Sequence, residues 1–134
     1  MAGYSGTPLV KKLGIKDGYM GLVRNPPIEY ARLVENLPES FQLSKTWKKG
    51  LNFVHIFSKK QTELFRLIET ARNYIAADGM IWASWPKKAS GVPTDITEDR
   101  IREFGPGIDL VDVKVCAIDE TWSGLKLVIR KEKR

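Results

Sequence analysis

Two hydrophobic patterns alternate along this chain of 134 residues, and their alternation predicts the order of its elements. Nearly unbroken apolar runs at 51–57 and 80–85 are typical of strands that are covered on both faces. Between these runs, apolar residues recur with helical period until Asp78-Gly79, and Ser58 with Gln61 forms a capping box at the helix start. The central part is therefore predicted as strand, helix and strand.

The first third of the chain has shorter predicted elements. Thr7 is expected to cap a helix that ends at Gly14, since a hydroxyl residue suits a helix start and glycine suits its end. An apolar run at 19–23 predicts a strand, and helical spacing follows over 28–37. A second strand is expected to start at Phe41.

The last third is predicted to end in two strands. Thr97 is expected to cap one more helix, which Gly105-Pro106 ends. Two apolar runs follow, at 110–118 and 125–129, and the six residues between them suit a turn. The simplest arrangement of these two strands is an antiparallel hairpin.

The order of elements sets the fold class. Strands that alternate with helices imply right-handed crossovers, a parallel sheet and helices on both faces. The predicted class is α/β, a three-layer Rossmann-like fold whose mostly parallel sheet ends in a C-terminal antiparallel hairpin. The length suits one domain over 1–134, with a helical lead-in at 1–18 and a basic tail at 130–134.

Composition limits which binding partners and which cellular compartment are expected. The 22 basic and 16 acidic residues give a net charge of +6, which favours anionic partners. Cys116 is the only cysteine, so an intrachain disulfide, a cysteine-only zinc site and a dithiol redox pair are excluded. Residues 1–6 show no leader pattern, and no apolar run approaches the roughly 20 residues of a membrane helix, so a cytoplasmic protein without membrane contact is predicted.

From the long helix onward, the predicted order is helix, Ala77-Asp78-Gly79 turn, strand, helix and hairpin. This order resembles the second half of a class I methyltransferase. Such enzymes hold S-adenosylmethionine with a glycine-rich loop after the first strand and an acidic residue after the second. Here Arg24-Asn25-Pro26-Pro27 replaces the loop, and prolines lack its N–H donors. No acidic residue ends the second strand at 41–45 either, so no cofactor is predicted and S-adenosylmethionine is not expected.

Four long strings carry a closer resemblance. They are Gly3-Tyr4-Ser5-Gly6-Thr7-Pro8-Leu9, Lys11-Lys12-Leu13-Gly14-Ile15-Lys16, Trp85-Pro86-Lys87-Lys88-Ala89-Ser90-Gly91-Val92-Pro93-Thr94-Asp95 and Val111-Asp112-Val113-Lys114-Val115-Cys116-Ala117-Ile118-Asp119-Glu120-Thr121-Trp122-Ser123-Gly124-Leu125-Lys126. With these strings the chain resembles, over nearly its whole length, a bacterial family of small proteins catalogued only as a domain of unknown function, numbered three thousand and fifty-two. The family implies no established activity.

A ligand site is expected at the carboxyl ends of the strands, where open parallel sheets bind ligands. Three connections and the hairpin turn bring basic, small polar and aromatic residues there. The candidate ligand-binding residues are Arg24, Asn25, Lys59, Trp85, Lys87, Lys88, Ser90, Thr94, Asp95, Asp119, Glu120 and Trp122. Because cations and a helix N-terminus favour negative charge, this basic crevice is predicted to bind an anionic, nucleotide-like small molecule or an acidic protein segment.

Structural explanations of the same residues stay open. Lysines can ring a sheet edge for solubility alone. A carboxylate of either loop can also face Lys87 or Lys88 and close a structural latch; the candidates are Asp95, Asp119 and Glu120. Adjacent carboxylates do not form an acid/base pair, because successive side chains of an extended segment diverge. No catalytic residue or metal ligand is predicted.

Three other residues are better explained by packing than by chemistry. His55, the only histidine, lies within a predicted buried strand, which favours a satisfied core residue over a catalytic base. Cys116 is predicted to be a buried thiol. Trp47, beside Lys45 and Lys48, could stack on a nucleic-acid base, but a core tryptophan is favoured.

Three functions remain as hypotheses. The favoured one is a noncatalytic Rossmann-like module that binds an anionic ligand or an acidic partner. The first alternative is a small methyltransferase-like enzyme with an atypical cofactor site. The second is a nucleic-acid-binding protein that uses lysines at 45–49 and the basic tail. The sequence does not predict the oligomeric state.

Overall fold

The computed structural model describes residues 6–134, which fold around one six-stranded sheet. The strands are β1 (Met20–Arg24), β2 (Gln42–Leu43), β3 (Leu51–Phe57), β4 (Ile75–Pro86), β5 (Leu110–Ala117) and β6 (Trp122–Ile129). Their order is β2-β1-β3-β4-β6-β5; the first four are parallel, and β6 is antiparallel to both neighbours. The predicted α/β class and terminal hairpin are confirmed. Residues 3–5 of the first sequence string lie outside the described residues.

Helices cover both faces of this sheet. They are α1 (Leu9–Leu13), α2 (Tyr30–Leu33), α3 (Gln61–Arg72) and α4 (Glu98–Phe104). Leu64 of α3 and Ile101 of α4 pack into a buried cluster on one face. Leu13 of α1 and Tyr30 of α2 belong to the cluster on the other face. The indole N–H of Trp82 donates to the carbonyl of Leu13 at 2.9 Å, which ties α1 to the centre of the sheet.

The strand order reverses between β1 and β3. The chain leaves β1 for β2 on one side of it, and then returns to form β3 on the other side. The connections that follow β1 and β3 therefore diverge, and a crevice opens between them at the carboxyl ends of the strands.

The predicted boundary between the long helix and the next strand is wrong. Helix α3 ends at Arg72, and β4 begins at Ile75 instead of 80. Leu51 pairs with Ile75 and Phe53 pairs with Met80, so residues 76–79 form a bulge within β4. Gly79 is required there, because an added Cβ would lie 2.8 Å from the carbonyl oxygen of Leu51. The Ala77-Asp78-Gly79 segment therefore interrupts a strand and does not end a helix.

The predicted capping box is also wrong. The N-cap of α3 is Lys60, and Ser58 lies two residues before it. The hydroxyl of Ser58 accepts a hydrogen bond from the Lys60 backbone N–H and donates one to Glu63. The backbone N–H of Gln61 donates instead to the Asp95 carboxylate at 2.7 Å. A loop that is distant in sequence therefore caps the helix.

Shorter elements depart from prediction in their bounds. The helix expected over 28–37 contracts to α2, since Val34 is already extended and Asn36 has a φ of 64°. Pro8, rather than Thr7, precedes α1. The cap of α4 by Thr97 is confirmed, because its side chain accepts from the Arg100 backbone N–H. In the described residues, no helix is long and apolar enough to span a membrane.

Candidate functional site

A cavity of about 570 Å³ opens at the carboxyl ends of β1 and β3, where the strand order reverses. We call it the switch-point crevice; its lining residues are Asn25, Pro27, Phe57, Ser58, Lys59, Lys60, Glu63, Val92, Thr121 and Trp122. Its volume lies within the range of about 300–1,000 Å³ that is typical of small-molecule sites. The predicted location of the site is therefore occupied by a cavity of suitable size.

One wall of the switch-point crevice is backed by two buried aromatic residues. The rings of Phe57 and Trp122 meet edge to face at 5.3 Å between centroids. The carboxylate of Asp119 fixes the backbone before Trp122, because it accepts hydrogen bonds from the N–H groups of Thr121 (2.8 Å) and Trp122 (2.7 Å). This local turn holds the indole of Trp122 against Phe57.

A buried polar network lies beneath this wall. The ring of Phe57 stacks on His55 at 4.1 Å between centroids. His55 Nδ1 lies 2.6 Å from the hydroxyl of Tyr30, and its Nε2 lies 2.8 Å from the hydroxyl of Ser84. Burial lowers the pKa of His55 to about 3 and raises the pKa of Tyr30 well above its usual value. His55 is a satisfied, neutral core residue, as the sequence predicted.

Charged and polar groups form the rim of the switch-point crevice. Lys59 and Lys60 follow β3, and Glu63 lies in the first turn of α3. The Ser58 hydroxyl donates to Glu63 at 2.6 Å, which holds this carboxylate at the crevice. The rim therefore offers two cations and one anion.

Two predicted ligand residues have structural partners instead. Asp95 caps α3, and the hydroxyl of Thr94 donates to the carbonyl of Lys59 at 2.7 Å. These contacts fasten the loop of residues 87–97 to the start of α3. The helix N-terminus that was expected to attract an anion is thus partly covered by the protein's own carboxylate.

The two tryptophan-containing loops are joined by a latch. Lys87 Nζ donates to the carbonyl of Asp119 at 2.9 Å, and the Lys87 backbone N–H donates to the carbonyl of Thr121 at 2.8 Å. The structural alternative of a latch is therefore present. It uses a backbone carbonyl, however, because the Asp119 carboxylate is engaged within its own turn.

The predicted site residues divide among several places. Asn25, Lys59 and Trp122 line the switch-point crevice. A second cavity of about 640 Å³ adjoins it at Val92. The predicted residues that line this second cavity are Trp85, Lys87, Lys88 and Thr94.

Five predicted residues line neither cavity, and Asp95 and Asp119, described above, are two of them. Ser90 bonds within its own loop, where its hydroxyl donates to the carbonyl of Lys87. Glu120 is exposed in the hairpin turn. The guanidinium of Arg24 lies over the ring of Trp47 at 5.2 Å. The structure therefore does not gather the predicted residues into one site.

Seven lining residues are absent from the predicted set: Pro27, Phe57, Ser58, Lys60, Glu63, Val92 and Thr121. Phe57 was assigned to a strand core and is fully buried there, and its place as the last residue of β3 puts it beside the crevice. Glu63 was overlooked because the capping-box interpretation assigned the polar contacts at the helix start to Ser58 and Gln61.

The remaining candidates are explained by packing. Trp47 stacks on Tyr74 at 5.6 Å, so with Arg24 over its ring it is a partly buried core residue. Cys116 is half-buried rather than fully buried, and burial raises the pKa of its thiol. Among residues 6–134, no group of three or more histidine, cysteine, aspartate or glutamate side chains could hold a metal ion.

Comparisons with solved structures show the fold. A S-adenosylmethionine-dependent methyltransferase from Aquifex aeolicus superposes with a TM-score of 0.63 and 11% identity, over 90% of this chain and 88% of that chain. Magnesium protoporphyrin IX methyltransferase from Synechocystis, solved with S-adenosylmethionine, has a TM-score of 0.58 and 10% identity, over 90% of this chain and 74% of that chain. Aeropyrum pernix fibrillarin, with natively bound S-adenosylmethionine, has a TM-score of 0.56 and 11% identity, over 87% of this chain and 69% of that chain.

Sequence comparisons add no family. No family model and no curated protein matches the chain. The resemblance to the bacterial family of unknown function stays a prediction. The expectation of no cofactor is wrong, because the similar solved structures are S-adenosylmethionine-dependent or contain bound S-adenosylmethionine and point to that cofactor instead of none. The chain has the mixed α/β, Rossmann-like fold of the class I methyltransferases.

Proposed function

We propose that this protein is a methyltransferase-like protein that binds S-adenosylmethionine in the switch-point crevice. One observation carries the proposal: a cavity of about 570 Å³ lies where the strand order reverses, in a chain with the methyltransferase fold. Open α/β sheets bind their ligands at this point.

The lining residues suit the parts of this cofactor. Lys59 and Lys60 can pair with the carboxylate of its methionine portion, and Glu63 can accept hydrogen bonds from its ammonium or ribose groups. Trp122, backed by the buried ring of Phe57, offers an apolar contact for the adenine, and aromatic faces also attract cations such as the sulfonium. When bound, the cofactor supplies an electrophilic methyl group.

The loop after β1 differs in structure from a glycine-rich loop. Asn25 adopts a φ of 57°, and its side-chain amide donates to the carbonyl of Phe57 at 3.2 Å. Pro26 and Pro27 offer no N–H donors. Side chains from the β3–α3 connection, rather than loop amides, are therefore proposed to hold the cofactor, so its affinity should depend on them.

Isothermal titration calorimetry of the folded protein with S-adenosylmethionine and S-adenosylhomocysteine tests this proposal. We expect saturable binding of both, and we expect Glu63→Gln and Lys60→Ala each to weaken it about tenfold, which is the usual effect of losing one charge-assisted hydrogen bond. Lys131→Ala, at the exposed C-terminal end, is the matched control and should bind like the wild type. Absence of heat and of thermal stabilisation at millimolar cofactor would refute the proposal.

A second candidate is a module that binds an anionic ligand without catalysis. Lysines border both adjoining cavities, Lys59 and Lys60 on one and Lys87 and Lys88 on the other. This candidate predicts that nucleotides raise the melting temperature whereas S-adenosylmethionine does not. Stabilisation by S-adenosylmethionine alone would exclude it.

A further inference from the structure

Lysines gather on the α1 side of the terminal hairpin, away from both cavities. Lys114 of β5 and Lys126 of β6 are directly opposite each other in the strand register. Lys126 is also the register partner of Trp82, whose indole donates to the carbonyl of Leu13. Leu13 therefore lies over the strand next to this lysine pair, and Lys16 follows it in the connection between α1 and β1. We call Lys16, Lys114 and Lys126 the hairpin lysine patch.

Among the described residues, no salt bridge pairs a carboxylate with Lys16, Lys114 or Lys126. The register of β5 shifts between Asp112 and Lys114, so that Asp112 is opposite Leu127 and Lys114 is opposite Lys126. Because successive residues of β6 point to opposite faces, the shift sends the Asp112 carboxylate to the other face. There Asp112 lies 3.6 Å from Arg102 of α4.

Electrostatic effects within the patch agree with this geometry. Burial lowers the pKa of Lys126, and the positive charges of Lys114 and Lys16 lower it further. The charges of Lys114 and Lys12 act in the same way on the neighbouring thiol of Cys116, against the larger effect of its burial. Like charges directly opposite each other destabilise a sheet. The free protein thus maintains a repulsion that a bound anion would relieve.

We propose that the hairpin lysine patch binds a phosphate-bearing anion. Lys114 and Lys126 are directly opposite each other on two strands, and the positive charge of Lys16 acts on Lys126. A compact, strongly hydrated ammonium binds phosphate as a point charge. The phosphate belongs either to a nucleic-acid backbone or to a small polyphosphate. This site is separate from the switch-point crevice and does not depend on the proposed cofactor.

The test compares two probes on the same protein. Fluorescence anisotropy with a labelled single-stranded oligonucleotide of about 20 nucleotides measures backbone binding, and calorimetry with tripolyphosphate measures binding of a free phosphate chain. Lys114→Gln combined with Lys126→Gln should weaken binding about tenfold or more for whichever probe binds the wild type. If the oligonucleotide binds, the slope of affinity against salt should also fall, by about 0.7 for each lost phosphate contact.

One readout separates a binding site from a merely structural cluster. Removing one member of a repelling pair should leave the melting temperature of Lys114→Gln equal to or above that of the wild type, even as its affinity falls. The matched control is Lys45→Gln with Lys48→Gln, an equal charge change on exposed lysines elsewhere. The proposal is overturned if neither probe binds the wild type, or if the control loses as much affinity as the patch variant. The patch variant should bind S-adenosylmethionine with the same affinity as the wild type. A failure of the patch proposal can therefore be distinguished from a failure of the proposed function.

Discussion

At the scale of single residues, burial decides the chemistry of His55. Its ring is fully buried between Tyr30, Ser84 and Phe57, and both ring nitrogens have hydroxyl partners. A charged imidazolium would have to be desolvated there, so the folded protein holds the neutral form and the pKa falls to about 3. The unfolded chain, in contrast, takes up a proton near pH 6.5.

This difference predicts how stability depends on pH. Because the folded pKa lies below the unfolded one, the contribution of His55 is fully present above about pH 6.5 and is lost as the pH falls towards 3. The wild type should be more stable than His55→Gln at pH 7, and the gap should shrink by about 1.5 kcal/mol between pH 6.5 and 5. Urea denaturation at several pH values measures the gap.

Tyr30→Phe is the matched control for this pH dependence. It removes a hydroxyl partner of His55 but keeps the histidine, so its stability gap to the wild type should vary much less with pH. A gap between the wild type and His55→Gln that stays constant with pH would show that His55 titrates normally in the folded state.

At the scale of elements, the sequence patterns predicted which segments form strands and helices better than they predicted where those elements begin and end. The bounds of β3 were predicted in full, because Leu51–Phe57 is an apolar run that only a buried strand explains. The end of α3 was misplaced, because Ile75 continues the helical period although it belongs to β4. Its start was misread because the capping carboxylate, Asp95, lies 34 residues from Gln61. Local periodicity carries no signal of such a contact.

The cap supplied by Asp95 gives a prediction at this scale. Asp95→Ala should lower the free energy of unfolding by about 0.5–2 kcal/mol, because the Gln61 N–H loses its acceptor and the helix dipole loses an anion. Asp95→Asn keeps an oxygen acceptor and should recover most of the loss. Chemical denaturation measures both variants, with Asp78→Ala, at an exposed carboxylate in β4, as the control. Equal losses for Asp95→Ala and Asp78→Ala would contradict the capping role.

At the scale of the whole molecule, the location of the candidate site was predictable and its membership was not. Strand alternation implied a crevice at the carboxyl ends of a parallel sheet, and the cavity lies there. Which residues enter it depends on how the loop of residues 87–97 folds back. In that loop, Thr94 donates to the carbonyl of Lys59 just before α3, and Lys87 donates to the carbonyl of Asp119 in the hairpin turn. Both contacts join residues more than 30 positions apart.

The latch between the loops predicts unequal roles for two adjacent lysines. Lys87→Ala should lower the free energy of unfolding by about 1–2 kcal/mol, because the ammonium group donates to the carbonyl of Asp119 in a half-buried position. Lys88→Ala, at an exposed position, should change it by less than about 0.5 kcal/mol. Thermal and urea unfolding of the two variants make the comparison. Equal effects of the two substitutions would show that the latch adds no stability.

The hydrogen bond from Trp82 to Leu13 has a consequence for the order of events during synthesis. Its donor and acceptor are 69 residues apart, and both are buried. Helix α1 leaves the ribosome well before Trp82 does, and a helix of five residues is too short to be stable alone in water. Until β4 has emerged, the segment of α1 therefore lacks this contact, so α1 is synthesised before the sheet but becomes ordered only together with it.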